Sequence, residues 1–456
     1  MLNPNIYMHE SDRAALNALK AIPGFTALFK AFMKVWSEKQ YRIQNMSTNL
    51  RVSKNQLSRY YDMLPPICKK LGIEVPELYL ELDVVPNAYT AGDTKPFIVI
   101  TSGLLEHMPD ELIPTVLAHE CGHIACHHCL YTTMGQMIMD GAINYLGIGE
   151  LVALPIQIAF AYWMRCSEFS ADRAAAIYDG NPTKVVQMCM HFSGLRKDLA
   201  AQANIYEFMQ QAKDYQSMIL DSKWNKAMEF LMFSHADHPL NAVRAAECFA
   251  WASEARFGKI TGYLAQADSH EAANSTALAV YMQETFMPES DKFYVGKNVG
   301  EVRSMLCELG FCNISLLRNM QERSGAQDGQ VLSICINNTV GFNAYDWVAL
   351  DAQIVIEYYH PQTEAELIAA HPGQVRTPNT SKHYISQFYQ NAVNDFHNAG
   401  FTNIVTYYRN HAKKGFFDVE GAIVMIDIAG QQSFGKGEWF PQDALVAITY
   451  NTYPTK

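Results

Sequence analysis

A short segment near residue 120 holds the side-chain types of a metal site, namely His119, Glu120 and His123. On a helix, side chains four positions apart lie on one face, so both imidazoles can bind one ion while Glu120 projects beside them. A catalytic zinc ion takes three protein ligands and leaves its fourth position to water. A nearby carboxylate can then accept a proton from that water. The spacing therefore predicts a zinc site, although two histidines on an ordinary core or solvated helix produce the same pattern.

Two segments could supply the third ligand. Cys129 lies ten residues after the first histidine, where one class of zinc peptidases carries a histidine, but that class also needs a glycine where this chain has Cys126. Glu168 and Asp172 lie four positions apart in a later predicted helix. Glu168 would complete a His2Glu set, and Asp172 would accept a hydrogen bond from a ligand imidazole and fix its tautomer. The sequence therefore favours Glu168 as the third ligand of one Zn2+ per chain.

The segment 126–129 also has the form C-x-x-C, which could indicate a second metal or a redox site. It lies inside a predicted helix, and the chain has no second C-x-x-C. Free cysteines commonly behave as small buried apolar residues. We therefore interpret these cysteines as part of the core.

The elements around these residues are mostly helical. Residues 10–76 have helical periodicity, and helices are predicted again from Met108 to about Phe257. Between them, residues 78–85 and 96–103 are short and β-rich, with a turn-like segment between the two, which predicts a small hairpin or meander.

One apolar stretch, residues 142–164, bears on the question of a membrane. Glu150 interrupts it, and the uninterrupted part of about 14 residues is shorter than the roughly 20 that a spanning helix needs. The stretch is interpreted as a buried helical segment covering the active cleft, and contact with a membrane surface stays open as the alternative.

The C-terminal part of the chain contains a duplication. Gly310 and Phe311 match Gly400 and Phe401, 90 residues apart, and each pair ends a predicted helix. Eight further matches are all 92 residues apart, so one two-residue insertion reconciles both offsets. The eight first members are Ile334, Ile336, Phe342, Trp347, Asp351, Ala352, Ile356 and Tyr358, and their partners are Ile426, Ile428, Phe434, Trp439, Asp443, Ala444, Ile448 and Tyr450. The matched positions are mostly core-type residues, so the repeats are predicted to bind or position something.

Composition narrows the class of protein. The 456 residues carry a formal net charge of −11, which argues against a general nucleic-acid binder. With 49% hydrophobic and 18% charged residues the chain is globular. Ten unevenly spaced cysteines indicate thiols in a reducing compartment. The N-terminal residues do not form a secretory signal, and cytoplasmic residence is predicted.

Four segments, in order, resemble the HtpX-like and CAAX-prenyl-protease-like gluzincin zinc metallopeptidases. They are residues 87–92 followed by ITSGLL, then HECGHIACHH, then RCSEFSADRAA, and finally residues 237–240 followed by Arg244. His128 occupies the position of the family's frequent trailing histidine, whereas His127 stands where an arginine is common. Family members with transmembrane helices place them beside the active helix, and this chain lacks convincing ones, which puts membrane-protein substrates in doubt.

The resemblance implies roles for these residues. His119, His123 and Glu168 would bind zinc, Glu120 would be the general base and acid, and Asp172 would anchor a ligand. His238 would stabilise the tetrahedral oxyanion, and Arg244 would be a structural charge near the site. Substrate in an extended conformation would pair with an edge strand that includes Asn87, Ala88 and Tyr89.

The fold expected from these observations is multidomain: a mostly helical α+β gluzincin peptidase domain followed by two small α+β repeat domains. The predicted boundaries are 1–275 for the peptidase domain, 276–290 and 361–381 for linkers, and 291–360 and 382–456 for the repeats. The layout of the repeats loosely resembles PASTA-like modules, and their ligand or protein partner stays unassigned.

The predicted function is a zinc metalloendopeptidase that hydrolyses extended or misfolded polypeptides, with no nucleic-acid partner. One alternative is an adaptor that acts through its repeats and carries a latent or vestigial peptidase domain. A second alternative is a structural zinc protein, although a His2Glu set beside a further glutamate suits an open catalytic site better than a closed one.

Overall fold

The computed structural model describes residues 2–139, 150–220, 240–267, 275–321, 325–410 and 419–453. The chain divides into two compact units, one of Met1–Leu316 with Ser333–Ile356 and the other of Leu317–Leu332 with Glu357–Lys456. The helices that carry the described metal-site candidates all belong to the first unit.

The first unit is mostly helical, as its sequence periodicity predicts. Short 3-10 helices cover Pro4–Ile6, Asp110–Leu112 and Lys197–Gln202. The α-helices are α1 (Glu10–Ala21), α2 (Phe25–Val35), α3 (Glu38–Thr48), α4 (Ser58–Tyr61), α5 (Leu64–Leu71), α6 (Ser102–His107), α7 (Ile113–Ala125), α8 (Cys129–Met139), α9 (Glu150–Asp179), α10 (Thr183–Phe192), α11 (Ile205–Leu220), α12 (Asn241–Ala252), α13 (Ala255–Ala267), α14 (Ser275–Met282), α15 (Asp291–Tyr294) and α16 (Val299–Glu308).

A four-stranded sheet lies among these helices, in the strand order β1-β2-β4-β3. Its strands are β1 (Leu50–Val52), β2 (Glu77–Glu81), β3 (Ala88–Ala91) and β4 (Phe97–Thr101). The predicted hairpin or meander of residues 78–85 and 96–103 is wrong, because β2 and β4 pair in parallel. Parallel neighbours need a long connection, and the connection 82–96 contains β3, which pairs antiparallel with β4 and forms an edge of the sheet.

Helices α7 and α9 pack against each other unusually closely, because their contact surface consists of small residues. A Cβ atom added to Gly122 of α7 would lie only 2.7 Å from Cβ of Ala174 and 3.0 Å from Cα of Ala171, both on α9. Glycine facing alanine lets two helix backbones approach, and the side chains that project beside the contact are then brought within bonding distance of one another.

The predicted apolar stretch 142–164 lies partly outside the described residues, which resume at Glu150. From there it forms the first half of α9. Ile156, Phe160 and Trp163 are buried in a cluster with Leu28 and Phe32 of α2. Burial against the N-terminal helices accounts for the apolar composition of this half. Within the described residues, no helix has the length and apolarity that crossing a membrane requires.

The same order of elements occurs twice in the C-terminal part of the chain: a helix, a short strand, two further helices and then several strands. The first set comprises α14, β5 (Glu284–Phe286), α15, α16, β6 (Ile314–Asn319), β7 (Val331–Ile336), β8 (Thr339–Val340), β9 (Trp347–Ala349) and β10 (Ile354–Tyr359). The second comprises α17 (Glu364–Ala370), β11 (Gln374–Arg376), α18 (Ser381–Tyr384), α19 (Tyr389–Asn398), β12 (Ile404–Asn410), β13 (Ile423–Ile428), β14 (Trp439–Pro441) and β15 (Val446–Thr452). Parts of both predicted linkers thus carry regular structure, and the predicted domain boundaries stay predictions.

The duplicated tryptophan lies on an equivalent pair of strands in both repeats. In the first unit, β5 pairs antiparallel with β9, and Phe286 lies opposite Trp347. In the second unit, β11 pairs antiparallel with β14, and Arg376 lies opposite Trp439. An arginine covers each ring from a different element: Arg256 of α13 lies 4.3 Å from the centre of the Trp347 ring, and Arg376 of β11 lies 4.5 Å from the centre of the Trp439 ring. The repeated strand pairing extends the internal similarity to residues before the matched segments.

The second unit has its own core. Its three-stranded sheet has the order β12-β15-β13, with β12 parallel and β13 antiparallel to β15. Phe396 of α19 and Phe401 pack on Ile426 and Ile448 of the sheet. Phe401, Ile426 and Ile448 are positions that the duplication assigned to a repeated core.

Candidate metal centre

Three buried side chains meet where α7 packs on α9. Nε2 of His119 lies 3.2 Å from Nε2 of His123, one helical turn away on α7. Glu168 of α9 approaches both rings, with Oε2 at 3.4 Å from Nε2 of His119 and Oε1 at 3.2 Å from Nε2 of His123. The structure thus brings together the three residues that the sequence proposed as ligands.

These distances fit one tetrahedral metal ion. Zinc bonds of about 2.0–2.1 Å in a tetrahedral site separate neighbouring ligand atoms by roughly 3.3 Å. The two imidazole nitrogens have a separation of this size, and each oxygen of Glu168 lies at a similar distance from one of the two rings. With one ligand atom from each residue, the three atoms lie within 4.8 Å of one another, and two imidazoles with one carboxylate are a set that a catalytic zinc site uses. In the part of the chain that the structure describes, this is the one group of His, Cys, Asp and Glu side chains with spacing suited to a metal ion.

A second carboxylate holds the first ligand. Oδ1 of Asp172, one turn after Glu168 on α9, lies 2.9 Å from Nδ1 of His119. An ionised carboxylate only accepts hydrogen bonds, so the proton of a neutral His119 belongs on Nδ1 and the lone pair of Nε2 faces the other two ligands.

Arg244 of α12 joins both acidic residues of α9. Its Nη2 and Nε donate to the two oxygens of Asp172 at 2.7 and 2.8 Å, and its Nη1 lies 3.0 Å from Oε2 of Glu168. The guanidinium is fully buried, as are both carboxylates. A bidentate arginine fixes the plane of the Asp172 carboxylate, while its third contact restrains the ligand Glu168.

The charges around the site shift the pKa values of its members. Burial alone would lower the pKa of His119, but Asp172 and Glu168 outweigh it and raise that pKa to about 9. Burial lowers the pKa of His123. The pKa of Asp172 falls below its ordinary value despite burial, because Arg244 and His119 favour the carboxylate. The Asp172 carboxylate is therefore ionised between Arg244 and His119.

The second ligand is held from another direction. Nδ1 of His123 lies 3.0 Å from Nδ1 of His128, and Nε2 of His128 lies 2.9 Å from Oδ2 of Asp12 in α1. Asp12 also accepts hydrogen bonds from Oγ of Ser170 at 2.6 Å and from Nε1 of Trp163 at 2.9 Å. Asp12, His128, Ser170 and Trp163 are called the Asp12 cluster below, and all four are buried.

Glu120 and Cys129 were the other candidates on this side of the site. Glu120 is buried on α7, next to His119. Burial raises the pKa of the Cys129 thiol to about 12, and it raises that of Cys126 well above its ordinary value. Both cysteines are free and buried. Thiols that hold their protons are poor metal ligands, which favours their interpretation as core residues.

The remaining candidates are distributed as follows. Ala88 and Tyr89 lie on the edge strand β3, which contacts α7, and Asn87 directly precedes it. The phenol of Tyr89 donates to Oε2 of Glu81 at 3.1 Å. These three residues are not among the metal-binding group. His238 lies outside the described residues, so its proposed role as oxyanion stabiliser stays a prediction.

Sequence reasoning missed Asp12, Ser170 and Trp163. Ser170 stands inside the RCSEFSADRAA segment, between Glu168 and Asp172, so its position on the ligand helix was visible. His128 was noted as a trailing histidine without a role. No spacing signal connects Asp12 with the site, because it lies 116 residues before His128.

Comparison with known proteins gives the following similarities. Residues 67–252 match the model of Peptidase family M48. The chain is 32% identical over 252 residues to the plastoglobule-localized metallopeptidase 48, chloroplastic, of Arabidopsis thaliana, covering 55% of this chain and 73% of that relative. It is 26% identical over 227 residues to a protease HtpX homolog of Campylobacter concisus, covering 43% and 75%.

A solved structure of the entire extracellular region of the Ser/Thr kinase PrkC from Staphylococcus aureus also matches, with 12% identity over 38% of this chain and 48% of that chain. The TM-score is 0.16. At that score the likeness decides nothing about the fold of the repeats, and their PASTA-like character stays a prediction.

Proposed function

Because the chain belongs to peptidase family M48 and is a metalloprotease, we propose that it is a zinc-dependent endopeptidase whose ligands are His119, His123 and Glu168. The observation that carries the proposal is the grouping of these three buried side chains on two packed helices, with one ligand atom from each residue within 4.8 Å of the others. The same donor set of two imidazoles and one carboxylate also binds iron(II) in other proteins, so the choice of zinc rests on the match to a metallopeptidase family.

The roles proposed for the side chains rest on their chemistry and on the resemblance of the segments that carry them. A bound zinc ion supplies Lewis acidity, which polarises a scissile carbonyl and acidifies a water molecule. Glu120 is the base that accepts the proton of this water and then delivers it to the leaving amine nitrogen. His238 is proposed to stabilise the oxyanion of the tetrahedral intermediate, on the resemblance alone.

Arg244 and Asp172 keep the ligands in place. Asp172 accepts the Nδ1 proton of His119, so the Nε2 lone pair of this imidazole stays available. Arg244 balances the charge of both buried carboxylates and limits the rotation of Glu168. A site held in this way does not need to reorganise when substrate binds.

The substrate is proposed to be an extended or misfolded polypeptide that pairs with β3. This strand is at the edge of its sheet and contacts the helix that carries two of the ligands. Main-chain pairing tolerates many side chains, which suits a peptidase of broad specificity. Cytoplasmic residence of the protein stays a prediction.

The test is Glu120→Gln, which keeps the shape of the side chain but removes its basicity. We expect the purified variant to hold as much zinc as the wild type and to cleave casein about 10²- to 10⁴-fold more slowly, the usual contribution of general acid–base catalysis. Glu106→Gln, on the exposed side of α6, is the matched control and should cleave at the wild-type rate. A Glu120→Gln variant that keeps zinc and full activity overturns the assignment of the base.

The same measurement separates the alternatives. A wild-type protein that binds one zinc ion but cleaves neither casein nor unfolded peptides would favour the adaptor function, with the repeats as the working part. A wild-type protein that cleaves polypeptide after removal of its zinc would exclude a metal-dependent mechanism altogether.

A further inference from the structure

The candidate metal ligand His123 contacts His128, a member of the buried Asp12 cluster. From the sequence, no residue of this cluster was assigned a role in the site. Its centre is Asp12 of α1, which precedes the family-matched residues 67–252. We propose that Asp12 and His128 are positioning residues of the metal centre, which set the tautomer and ring orientation of His123. The inference rests on the proposed assignment of His119, His123 and Glu168 as zinc ligands.

The directions of the hydrogen bonds around Asp12 can be worked out from the chemistry of the donors. The indole of Trp163 can only donate, and it lies 2.9 Å from Oδ1 of Asp12. The backbone amide of His9 donates to Oγ of Ser170 at 3.0 Å, and that hydroxyl donates in turn to Oδ2 of Asp12. Asp12 is therefore an acceptor in both contacts, as an ionised carboxylate must be.

The same reasoning continues to the ligand. Because Asp12 only accepts, Nε2 of His128 must carry a proton and donate to it. In a neutral His128 the other ring nitrogen is then an acceptor. Nδ1 of His123 lies 3.0 Å from that nitrogen, so His123 is the donor and its proton is on Nδ1. The lone pair of its Nε2 then faces Glu168 and His119, as metal binding requires.

The burial of Asp12 and its three hydrogen-bond donors restrict the motion of its carboxylate. The Asp12 carboxylate is 1% exposed and receives three donors, which are His128 directly before α8 and Trp163 and Ser170 of α9. A buried carboxylate with a full set of donors has little freedom to rotate. The ring of His128, held between Asp12 and His123, is therefore fixed as well.

The proposal makes α1 a part of the metal centre, although it is distant in sequence. Each of the two ligand histidines then has its own carboxylate: Asp172 contacts His119 directly, and Asp12 reaches His123 through His128. Outer partners of this kind typically contribute 10- to 100-fold to metal affinity.

The experiment uses the full chain and measures zinc affinity by competition with a chromophoric chelator, so that it does not depend on peptidase activity. His128→Leu and Asp12→Asn should each weaken zinc binding about 10- to 100-fold. Asp12→Asn changes the fewest atoms, because it replaces one acceptor oxygen by an amide donor that faces either Trp163 or His128. His128→Gln, which can still accept at one end and donate at the other, should recover part of the affinity lost in His128→Leu.

A spectroscopic readout separates positioning from general loss of packing. In Co2+-substituted protein the visible absorption bands should shift in His128→Leu and Asp12→Asn, because the orientation of the His123 ring changes. His191→Leu is the matched control: this histidine of α10 is also buried, and its Nδ1 contacts the carbonyl oxygen of Leu195 rather than a metal ligand. It should lower thermal stability and leave zinc affinity and the cobalt spectrum unchanged.

Two results would overturn the proposal. One is wild-type zinc affinity and an unchanged cobalt spectrum in both His128→Leu and Asp12→Asn. The other is an equal loss of zinc affinity in His191→Leu, since the effect would then be a general consequence of a disturbed core. If His128→Leu does not fold, the isosteric Asp12→Asn decides. A wild-type chain that binds no zinc contradicts the proposed ligands themselves, so the two failures are distinguishable.

Discussion

Replacing Arg244 by methionine should destabilise the peptidase unit far more than an ordinary salt-bridge substitution. Arg244 is 1% exposed and is the cation that touches both Asp172 and Glu168, at 2.7 and 3.0 Å. Methionine fills a similar volume but leaves the two buried carboxylates without this partner. Removing one partner of a buried ion pair costs about 3–5 kcal/mol, and here one guanidinium serves two carboxylates, so we expect the upper part of that range.

The effect should be measured as a shift of the melting temperature, because a multidomain chain has no single free energy of unfolding. The first unit has about 340 residues, and at an unfolding entropy of roughly 2.1 cal/mol/K per residue each kcal/mol shifts its melting temperature by about 1–2 °C. A loss of about 3–5 kcal/mol therefore predicts a shift of roughly 3–10 °C in scanning calorimetry with excess chelator. Zinc should reduce the shift, since the ion supplies positive charge beside Glu168.

Arg196→Met is the matched control. Arg196 makes a two-contact pair with Asp198 at 2.9 and 3.1 Å, but the two side chains are 69% and 61% exposed. Exposed pairs contribute about 0–1 kcal/mol. Arg244→Lys should fall between wild type and Arg244→Met, because lysine keeps the charge but not the bidentate geometry. If Arg244→Met melts within the range of Arg196→Met in the presence of chelator, Arg244 does not hold the carboxylates ionised, and the reasoning is refuted.

Two further predictions concern the packing and the titration of the site. Gly122→Ala should weaken zinc binding and cost about 1–3 kcal/mol, because its Cβ would lie 2.7 Å from Cβ of Ala174 and force the two ligand helices apart. The control is Gly258→Ala, which should be neutral or stabilising because its Cβ meets no atom within 4 Å. A zinc affinity of Gly122→Ala equal to that of the wild type would contradict the close-packing argument. Burial alone would raise the pKa of Asp12, but the electrostatic attraction of His128, together with hydrogen bonds from His128, Ser170 and Trp163, outweighs burial and lowers this pKa. A carboxylate whose pKa is lowered in the folded state stabilises the protein above its ordinary pKa of about 3.9, and this stability is lost as the pH falls through the folded-state pKa. The melting temperatures of wild type and Asp12→Asn should therefore converge as the pH falls from 6 to 3. A constant difference between the two melting temperatures over this range would contradict the prediction.

The grouping of the candidate ligands His119, His123 and Glu168 was predictable because its signals are local. His119 and His123 are one helical turn apart, and so are Glu168 and Asp172, so each pair could be placed on a helix face without knowing the fold. The duplication was visible for the same reason, since matched residues recur at constant spacing. Arg244 could be included only through the resemblance of a longer segment, because a single arginine carries no pattern of its own.

The pairing of the strands and the Asp12 cluster were not predictable in this way. Alternating or apolar residues identify a strand but not the direction of its neighbour, so the parallel pairing of β2 with β4 was read as a hairpin. Asp12 looks like an ordinary acidic residue in the first turn of a helix, where carboxylates are common. Its burial and its donors become apparent only when α1, α8 and α9 are packed together.

Both candidate ligand imidazoles are oriented through two faces of one helix, α9, so the geometry of the site depends on the rotational position of this helix. Glu168 and Asp172 are four residues apart and face His119 and His123, whereas Trp163 and Ser170 are seven residues apart and face Asp12. Spacings of four and seven each return to one side of a helix. Rotation of α9 about its axis would therefore break both sets of contacts at once: those of one face with the imidazoles and the hydrogen bonds of the other face to Asp12. We therefore expect that substitutions which disturb the contacts of either face lower zinc affinity, and that two such substitutions together are not additive. Asp172→Asn disturbs one face, and Asp12→Asn disturbs the contacts of the other. Additive effects in the double variant would show that the two faces act independently.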